Sequence, residues 1–581
     1  PLAAAVVTQG RTSAQRAWLL RCAGLPPGAT LPEVPGSSLD AILDRVWQER
    51  SRAERQALGQ VFTPRAVARQ VFHELPAPPD AGARVLDPAC GGGVFLVEAA
   101  DWLAPVLPEA PGLDRARALR ERILGIDIDP VAAALARLLL GGCMVDALGD
   151  AEPGDLALPR IEIADATAPA TGPFVEDFGP THVLGNPPYL EAKRMPNPDR
   201  ARLRAQLPEL EGAFDVYMAF CHLSLRWVGP DGVVGLVLPN KVQVARYAAA
   251  LRASLTEQGR LHALIDLSEL PVFARVGVYP IVVVIGPTRE AGEPTYKACH
   301  RHARLASLGR RPLVGVGVPL GLPREVMQPP VWFTVPDRPL ARLAERLLGD
   351  CPRLGDVAVV RSACSFHRKG LRERFVHPGD ELPHGLPYLG GLSWSRRNEI
   401  RPYQVDWTGH RIDFDADTLR KLGNPLPPLE CFLRPKVILC QHARTLVAWG
   451  DVEGRFVTKD VFPIVLPHDA TEASVLGLTA ILNSRVFSLL YAMWFRGIQI
   501  SGGYLHFLPV YLRTVPVPDP AAWTALGPRV AALQAAPDEA QAEAVDEAVM
   551  AAYRLGAADR RRVRAHADRE LGFAPDLLAR H

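Results

Sequence analysis

The sequence predicts an α/β fold, a doubly wound, Rossmann-like sheet of seven strands, with a second, α+β domain behind it. From Arg84 onward, short apolar runs alternate with helix-length amphipathic segments, the pattern of a sheet covered on both faces. The first run ends in a glycine-rich turn and the next two end in carboxylates, at the edge where such sheets bind ligands. The alternation then stops at Gly286 to Pro294 (GPTREAGEP), which reads as a linker.

Taken in order, residues 10 to 58 read as helical, with Leu39, Ile42, Leu43, Val46 and Trp47 on one face. The expected strands are Arg84 to Leu86, Ile123 to Ile126, Ile161 to Ile163, His182 to Leu184, Gly232 to Leu238, Leu261 to Leu267 and Val278 to Ile285. The clearest helices between them are Val94 to Leu103, Pro130 to Leu140, Asp215 to Val228 and Lys241 to Glu257. Right-handed crossovers would wind these into one parallel sheet. Beyond the linker come strand-like runs at Lys436 to Leu439 and Val461 to Leu466, one long apolar helix at Val475 to Trp494, and two surface helices in the last 60 residues. The expected organisation is therefore a helical lead-in (1–57), the sheet domain (58–290), a second domain (295–518) and a C-terminal helical segment (519–581), with no internal repeat.

With 581 residues, 48% hydrophobic and 22% charged, the chain has material for two or three cores. Its 65 basic and 63 acidic residues nearly cancel, so a polyanionic partner must be sought in local clusters. Phe366 to Arg374, Arg396-Arg397 and Arg560 to Arg564 are the basic ones. Nine cysteines without a CxxC pair fit a reducing compartment. Cys299, His300 and His302 stand too close together to form a zinc site alone, so no metal is expected. The start lacks the pattern of a secretory signal. The longest apolar stretches, such as residues 279 to 286, look strand-sized, so no membrane span is expected.

The chemistry lies at the strand ends. Asp87-Pro88-Ala89-Cys90-Gly91-Gly92-Gly93 follows the first strand and precedes a helix, and its glycines let backbone approach a ligand closely. It lacks the Lys-Ser/Thr of a phosphate-binding loop, so a nucleoside without phosphates fits better. Asp127, in Gly125-Ile126-Asp127-Ile128-Asp129-Pro130, stands where a carboxylate accepts ribose hydroxyls, whereas Asp129 suits the cap of the helix at Pro130. Asp165, before Ala166, offers a third carboxylate suited to an adenine amine.

The fourth strand runs into Asn186-Pro187-Pro188-Tyr189, where two prolines fix φ and remove backbone donors. An aromatic amine is a poor nucleophile because its lone pair is delocalised into the ring. If the Asn186 side-chain oxygen and the Pro187 carbonyl accept its hydrogens, the nitrogen is drawn toward tetrahedral geometry and the lone pair is freed. Tyr189 can stack on a base that has left the duplex.

The succession Gln60-Val61-Phe62-Thr63-Pro64, DPACGGG, GIDIDP, AD and NPPY, followed by a carboxy-terminal domain, resembles the gamma class of amino-methylating DNA methyltransferases, TaqI-like and Eco57I-like branch. The resemblance covers residues 55 to 290 most closely. It implies adenine-N6 methylation of duplex DNA from S-adenosylmethionine. By the same resemblance, Thr63 meets the methionine end of the cofactor, Asp87, Pro88, Ala89, Cys90, Gly91 and Gly93 surround it, and Asp127 with Ile128 takes the ribose. Asp165 and Ala166 take the adenine, Asn186 lies at the cofactor's edge, and Phe220, in the Asp215-Val216-Tyr217 helix, lies beside it. Phe273 would back the flipped base.

Trp394 to Arg397, Leu433 to Lys436, Leu482 to Ser484 and Gly502 to Pro509 resemble segments of the branch's target-recognition domain, with Arg396, Arg397 and Lys436 as expected DNA contacts. The resemblance further implies a prokaryotic cytoplasmic, nucleoid-associated enzyme of a restriction-modification or phage-defence system, with any endonuclease partner on a separate polypeptide and no membrane. Related NPPY enzymes act on RNA or protein glutamine, and a non-catalytic specificity subunit is the rival from another class. The size of the second domain favours duplex DNA over the first. The intact loop, three acids and NPPY argue against the second.

Overall fold

The computed structural model describes residues 4, 7–30, 63–267, 279–287, 295–298, 331–332 and 338–578, apart from 367–369, 391–398, 425, 500–503 and 574–576. The chain forms two units, residues 1–321 with 329–332 and residues 322–328 with 333–581.

The first unit contains α1 (Ser13–Cys22), α2 (Arg65–His73), β1 (Val85–Asp87), α3 (Val94–Leu103), α4 (Leu113–Arg122), β2 (Ile123–Asp127), α5 (Pro130–Leu148), β3 (Ile161–Ile163) and α6 (Gly172–Phe178). These are followed by β4 (His182–Gly185), α7 (Asn197–Gln206), α8 (Tyr217–Val228), β5 (Val233–Pro239), α9 (Ala249–Glu257), β6 (Leu261–Asp266), β7 (Pro280–Ile285) and β8 (Thr295–Ala298). All seven expected strands form close to their expected limits, because each is an apolar run bounded by turn residues. Their order is β3-β2-β1-β4-β5-β7-β6-β8. The winding reverses between β1 and β4, the switch point where open α/β sheets bind ligands.

Three features depart from the sequence reading. β7 runs antiparallel to β5 and β6, so the sheet is mixed rather than wholly parallel. Thr295–Ala298, expected to start the second domain, instead pairs parallel with β6 as an eighth strand. Lys241 to Glu257 is not one helix. It begins as two 3-10 turns, and only Ala249–Glu257 is α-helical. The buried Arg252 guanidinium donates to the Val242 and Ala245 carbonyls, satisfying groups that a continuous helix would have paired internally.

Helix α5 also runs further than expected. It is long and apolar enough to cross a membrane by length and composition, contrary to the expectation of strand-sized stretches alone, but two-thirds of its apolar window (67%) is buried inside the unit. Its residues pack under α1 and against the sheet, with Trp18 donating to the Leu156 carbonyl at 2.9 Å. This is the behaviour of a core helix. The lead-in face from Leu39 to Trp47 and the Cys299 to His302 run lie outside the described residues. No group of three or more metal-ligating side chains exists among those described.

In the second unit, one antiparallel sheet joins Ala448–Asp451, Lys436–Leu439, Ile464–Pro467 and Ala358–Arg361. The expected single helix over 475 to 494 is two helices, Glu472–Asn483 and Arg485–Phe495, bent by 56° to one another. Ser484 is extended at the break and its hydroxyl accepts from Phe487 N–H, capping the second helix. Among its described residues the final segment likewise holds four α-helices rather than two, Pro520–Thr524, Gly527–Ala535, Glu539–Ala552 and Ala557–His566. They are not merely surface, since Trp523, Val530, Leu533, Val545, Val549 and Met550 are buried. Arg560 and Arg564, from one of the basic clusters, both pair with Glu547.

His182, at the start of β4, packs edge-on to Trp102 with ring centroids 4.9 Å apart. Burial lowers its pKa from 6.5 to about 4. The folded ring therefore stays neutral where the unfolded chain takes a proton, so its contribution is full above pH 6.5 and is lost as pH falls toward 4. The melting temperature is expected to drop through that window, and His182→Phe to reduce the slope. A variant whose pH profile coincides with wild type would contradict this assignment.

Candidate active site

At the end of β1 the chain turns through Asp87 to Gly93 into α3. Gly91 and Gly93 have φ of +52° and +89°. A Cβ on Gly93 would also stand 2.9 Å from the Ala136 Cα, so that position needs glycine twice over. Pro88 and Cys90 are buried, whereas Ala89 and Gly91 are half-buried at the sheet edge. Burial pushes the Cys90 thiol well up, which makes it an inert filler rather than a nucleophile.

Asp87 is buried beneath this turn, and its carboxylate accepts from the Ala89 N–H at 3.1 Å. Burial raises its pKa well above the ordinary carboxylate range; the Ala89 N–H opposes the shift and nearby Asp127 adds to it. One Asp87 oxygen lies 2.5 Å from where a Gly185 Cβ would stand. Gly185 is thus the residue that lets the first carboxylate reach the end of β4, and the sequence offered a glycine immediately before the strip as its signal.

Asp127 closes β2. Its carboxylate accepts from Gly91 N–H at 2.7 Å and Asp129 N–H at 2.9 Å, tying the second strand end to the glycine turn. Asp129 caps α5 through Val131 N–H, as its position before Pro130 suggested. Beside them Ile128 is an exposed apolar side chain, at 58% of its full area. Asp165 is the next strand-end acid, half-buried, with Ala166 buried behind it. Its Oδ1 accepts from the Thr167 N–H and hydroxyl at 2.8 and 2.7 Å, and its Oδ2 from Arg202 Nη2 at 2.9 Å. Arg202, on α7, escaped the sequence reading because it lies in a segment that carries no motif.

At the end of β4, Asn186 donates its amide Nδ2 hydrogen to the Thr63 hydroxyl at 2.8 Å. Its Oδ1 is buried with no hydrogen-bond partner among the described residues. Such an acceptor costs stability unless something donates to it. Pro187 is buried, while Pro188 and Tyr189 are half-buried. The Tyr189 hydroxyl donates to the Val237 carbonyl on β5 at 3.0 Å, and its ring meets Tyr217 edge-on at 6.3 Å. Tyr217 in turn shares a hydrogen bond with Tyr247, whose hydroxyl donates to Asp215. After the strip the backbone pairs with the segment before α8, through Val216 N–H to Leu190 and Ala192 N–H to Phe214. Phe220 is buried on α8.

Of the expected residues, Thr63 is bonded to Asn186 and Gly91 to Asp127, while Asp87 is held by Ala89 beneath the same glycine turn. Phe273, Arg396 and Arg397 lie outside the described residues. Lys436 corrects the expectation that it contacts DNA. Its side chain is fully buried, ion-paired with Asp451 at 2.5 Å and donating to the Phe432 carbonyl.

Residues 41–297 match the family model for N-6 DNA methylase, and residues 395–517 match the TaqI-like C-terminal specificity domain. The type II methyltransferase M.PaeR7I of Pseudomonas aeruginosa is 25% identical over 75% of this chain and 81% of its own length. The type II methyltransferase M.XhoI of Xanthomonas vasicola is 24% identical over 86% of this chain and 98% of its own. Among solved structures, the type IIL restriction-modification enzyme MmeI in complex with DNA superposes with a TM-score of 0.54 at 13% identity, covering 92% of this chain and 74% of that one. That likeness is one of fold.

Proposed function

The chain belongs to the N-6 DNA methylases of restriction-modification type, with S-adenosyl-L-methionine as cofactor, and from that premise we propose that it methylates adenine N6 in a specific duplex DNA site. The observation that carries this reading is Asn186, whose amide nitrogen donates to Thr63 while its buried oxygen has no donor among the described residues. An exocyclic amine is the donor that such an oxygen suits.

The residues at the switch point fit the cofactor. An apolar, exposed Ile128 stands beside Asp127 and offers a face for a nucleoside, and the glycine turn allows close approach of backbone. Asp127, already holding the turn through Gly91, takes the ribose hydroxyls. Asp165 takes the adenine amine. The turn from Asp87 to Gly93 and Thr63 line the methionine end, with Phe220 behind. When bound, the cofactor supplies an electrophilic methyl group on a sulfonium.

The target adenine leaves the helix stack to reach the strip. Tyr189, its hydroxyl anchored to β5, offers its ring for stacking, and Phe273 is assigned the opposing contact. The Asn186 oxygen and the Pro187 carbonyl accept the two amine hydrogens and withdraw the lone pair from the ring. Thr63 keeps the Asn186 oxygen turned toward the amine, so no rotation is needed as charge develops. The strip supplies no strong base, and the proton of the methylated nitrogen passes to solvent. Arg396 and Arg397 are assigned to the DNA, and the identity of the adenine site belongs to the second unit.

Expression in a host free of adenine methylation, followed by single-molecule sequencing of its DNA, is expected to reveal N6-methyladenine at one recurrent sequence. Methylation on cytosine N4 would overturn the choice of base. Unmodified DNA, with the protein folded and cofactor-bound, would overturn the reading as a whole.

A further inference from the structure

We infer that Arg202 is a positioning residue for cofactor recognition, acting through Asp165; this rests on the reading of Asp165 as the acceptor for the cofactor's adenine amine. A carboxylate has about four lone-pair directions on its two oxygens. In Asp165 the Thr167 N–H and hydroxyl take both directions on Oδ1, and Arg202 Nη2 takes one on Oδ2. One direction remains, on Oδ2. The same guanidinium donates through Nη1 to the Thr167 carbonyl at 2.6 Å, so its plane is fixed by the loop that holds the carboxylate.

The fork geometry of arginine sets this arrangement, because two nitrogens reach two oxygens at once. As a stability device the pair is weak, since the two side chains are 27% and 37% exposed and water screens them. Its effect is directional. With both side chains locked, the last acceptor direction of Asp165 meets a 6-amino purine, which donates, and opposes a 6-oxo purine, which presents an oxygen. Arg202 sits on α7, which follows the strip in the chain, so the contact also fastens that segment to the adenine-binding edge.

The test is calorimetric binding of S-adenosylhomocysteine and S-inosylhomocysteine to the full chain, which reads recognition without turnover. Wild type is expected to prefer the adenosyl compound by on the order of a hundredfold. Arg202→Met is expected to weaken adenosyl binding roughly tenfold and to cut the preference to a few-fold, with an unchanged melting temperature. Arg202→Lys keeps the charge without the fork and is expected to fall between. It carries the test if the methionine variant does not fold, and a full wild-type preference in Arg202→Lys would then overturn the proposal.

Asp165→Asn separates the two levels of inference. A collapsed preference in Asp165→Asn with an intact one in Arg202→Met overturns the role of Arg202 alone. An intact preference in Asp165→Asn, or none in wild type, overturns the reading of Asp165 and the proposal with it.

Discussion

Asn186→Ala is expected to slow methyl transfer about a thousandfold while cofactor affinity stays within a few-fold of wild type. The reasoning starts from the divided amide. One amide hydrogen is held by Thr63 at 2.8 Å, which fixes the side chain, and the oxygen is buried without a donor among the described residues. Alanine removes the acceptor and leaves the Thr63 hydroxyl to find water, a small loss for folding and a large one for a step that needs the amine polarised. Thr63→Val makes the complementary case. It keeps the acceptor but frees the amide to rotate, and a loss of roughly tenfold is expected, because orientation is weakened rather than removed. Single-turnover transfer to duplex DNA, set beside calorimetric binding of S-adenosylhomocysteine, measures both. An Asn186→Ala enzyme within tenfold of wild type would show that the amine is activated by something other than this oxygen.

The contact between Thr63 and Asn186 marks where the sequence stops being legible. Each strand was readable alone, since an apolar run ending in Asp127 or Asn186 declares itself within a few residues. The glycine turn and the cap at Asp129 were readable for the same local reason. A hydrogen bond between positions 63 and 186 is not, because nothing near either residue specifies the other. Arg202 is harder still. Its partner Asp165 belongs to a motif, but arginines are common on exposed helices and only the fold brings this one to the carboxylate. Errors in element limits have local causes. The apolar pattern from Val475 resumes after Asn483-Ser484-Arg485 and runs to Trp494, and hydropathy does not register that Ser484 is extended with its hydroxyl accepting from Phe487 N–H. The Lys241 segment has helical spacing but spends its first carbonyls on Arg252.

Lys436 is the case in which the resemblance misled most, and it yields the largest expected change in stability. A lysine in a stretch resembling a DNA-reading domain invites a phosphate contact, yet its ammonium lies in the interior of the second unit against Asp451. Burial lowers its pKa, and Asp451 opposes that shift. The Asp451 carboxylate also accepts from the Arg455 and Phe456 N–H groups, so the pair anchors the turn that leaves Ala448–Asp451. Lys436→Met fills the same space and removes the charge, leaving a buried carboxylate without its cation, and is expected to destabilise the second unit by about 3–5 kcal/mol. Adding Asp451→Asn to that variant removes the stranded charge while keeping an acceptor for the backbone, and should recover much of the loss. Urea denaturation of the full chain measures both changes, and the salt dependence of DNA affinity measures the alternative. A residue on a phosphate would do the reverse of what is expected here, lowering the salt slope by about one while leaving the unfolding curve unmoved. That pattern in Lys436→Met would return the residue to the DNA and refute its structural role.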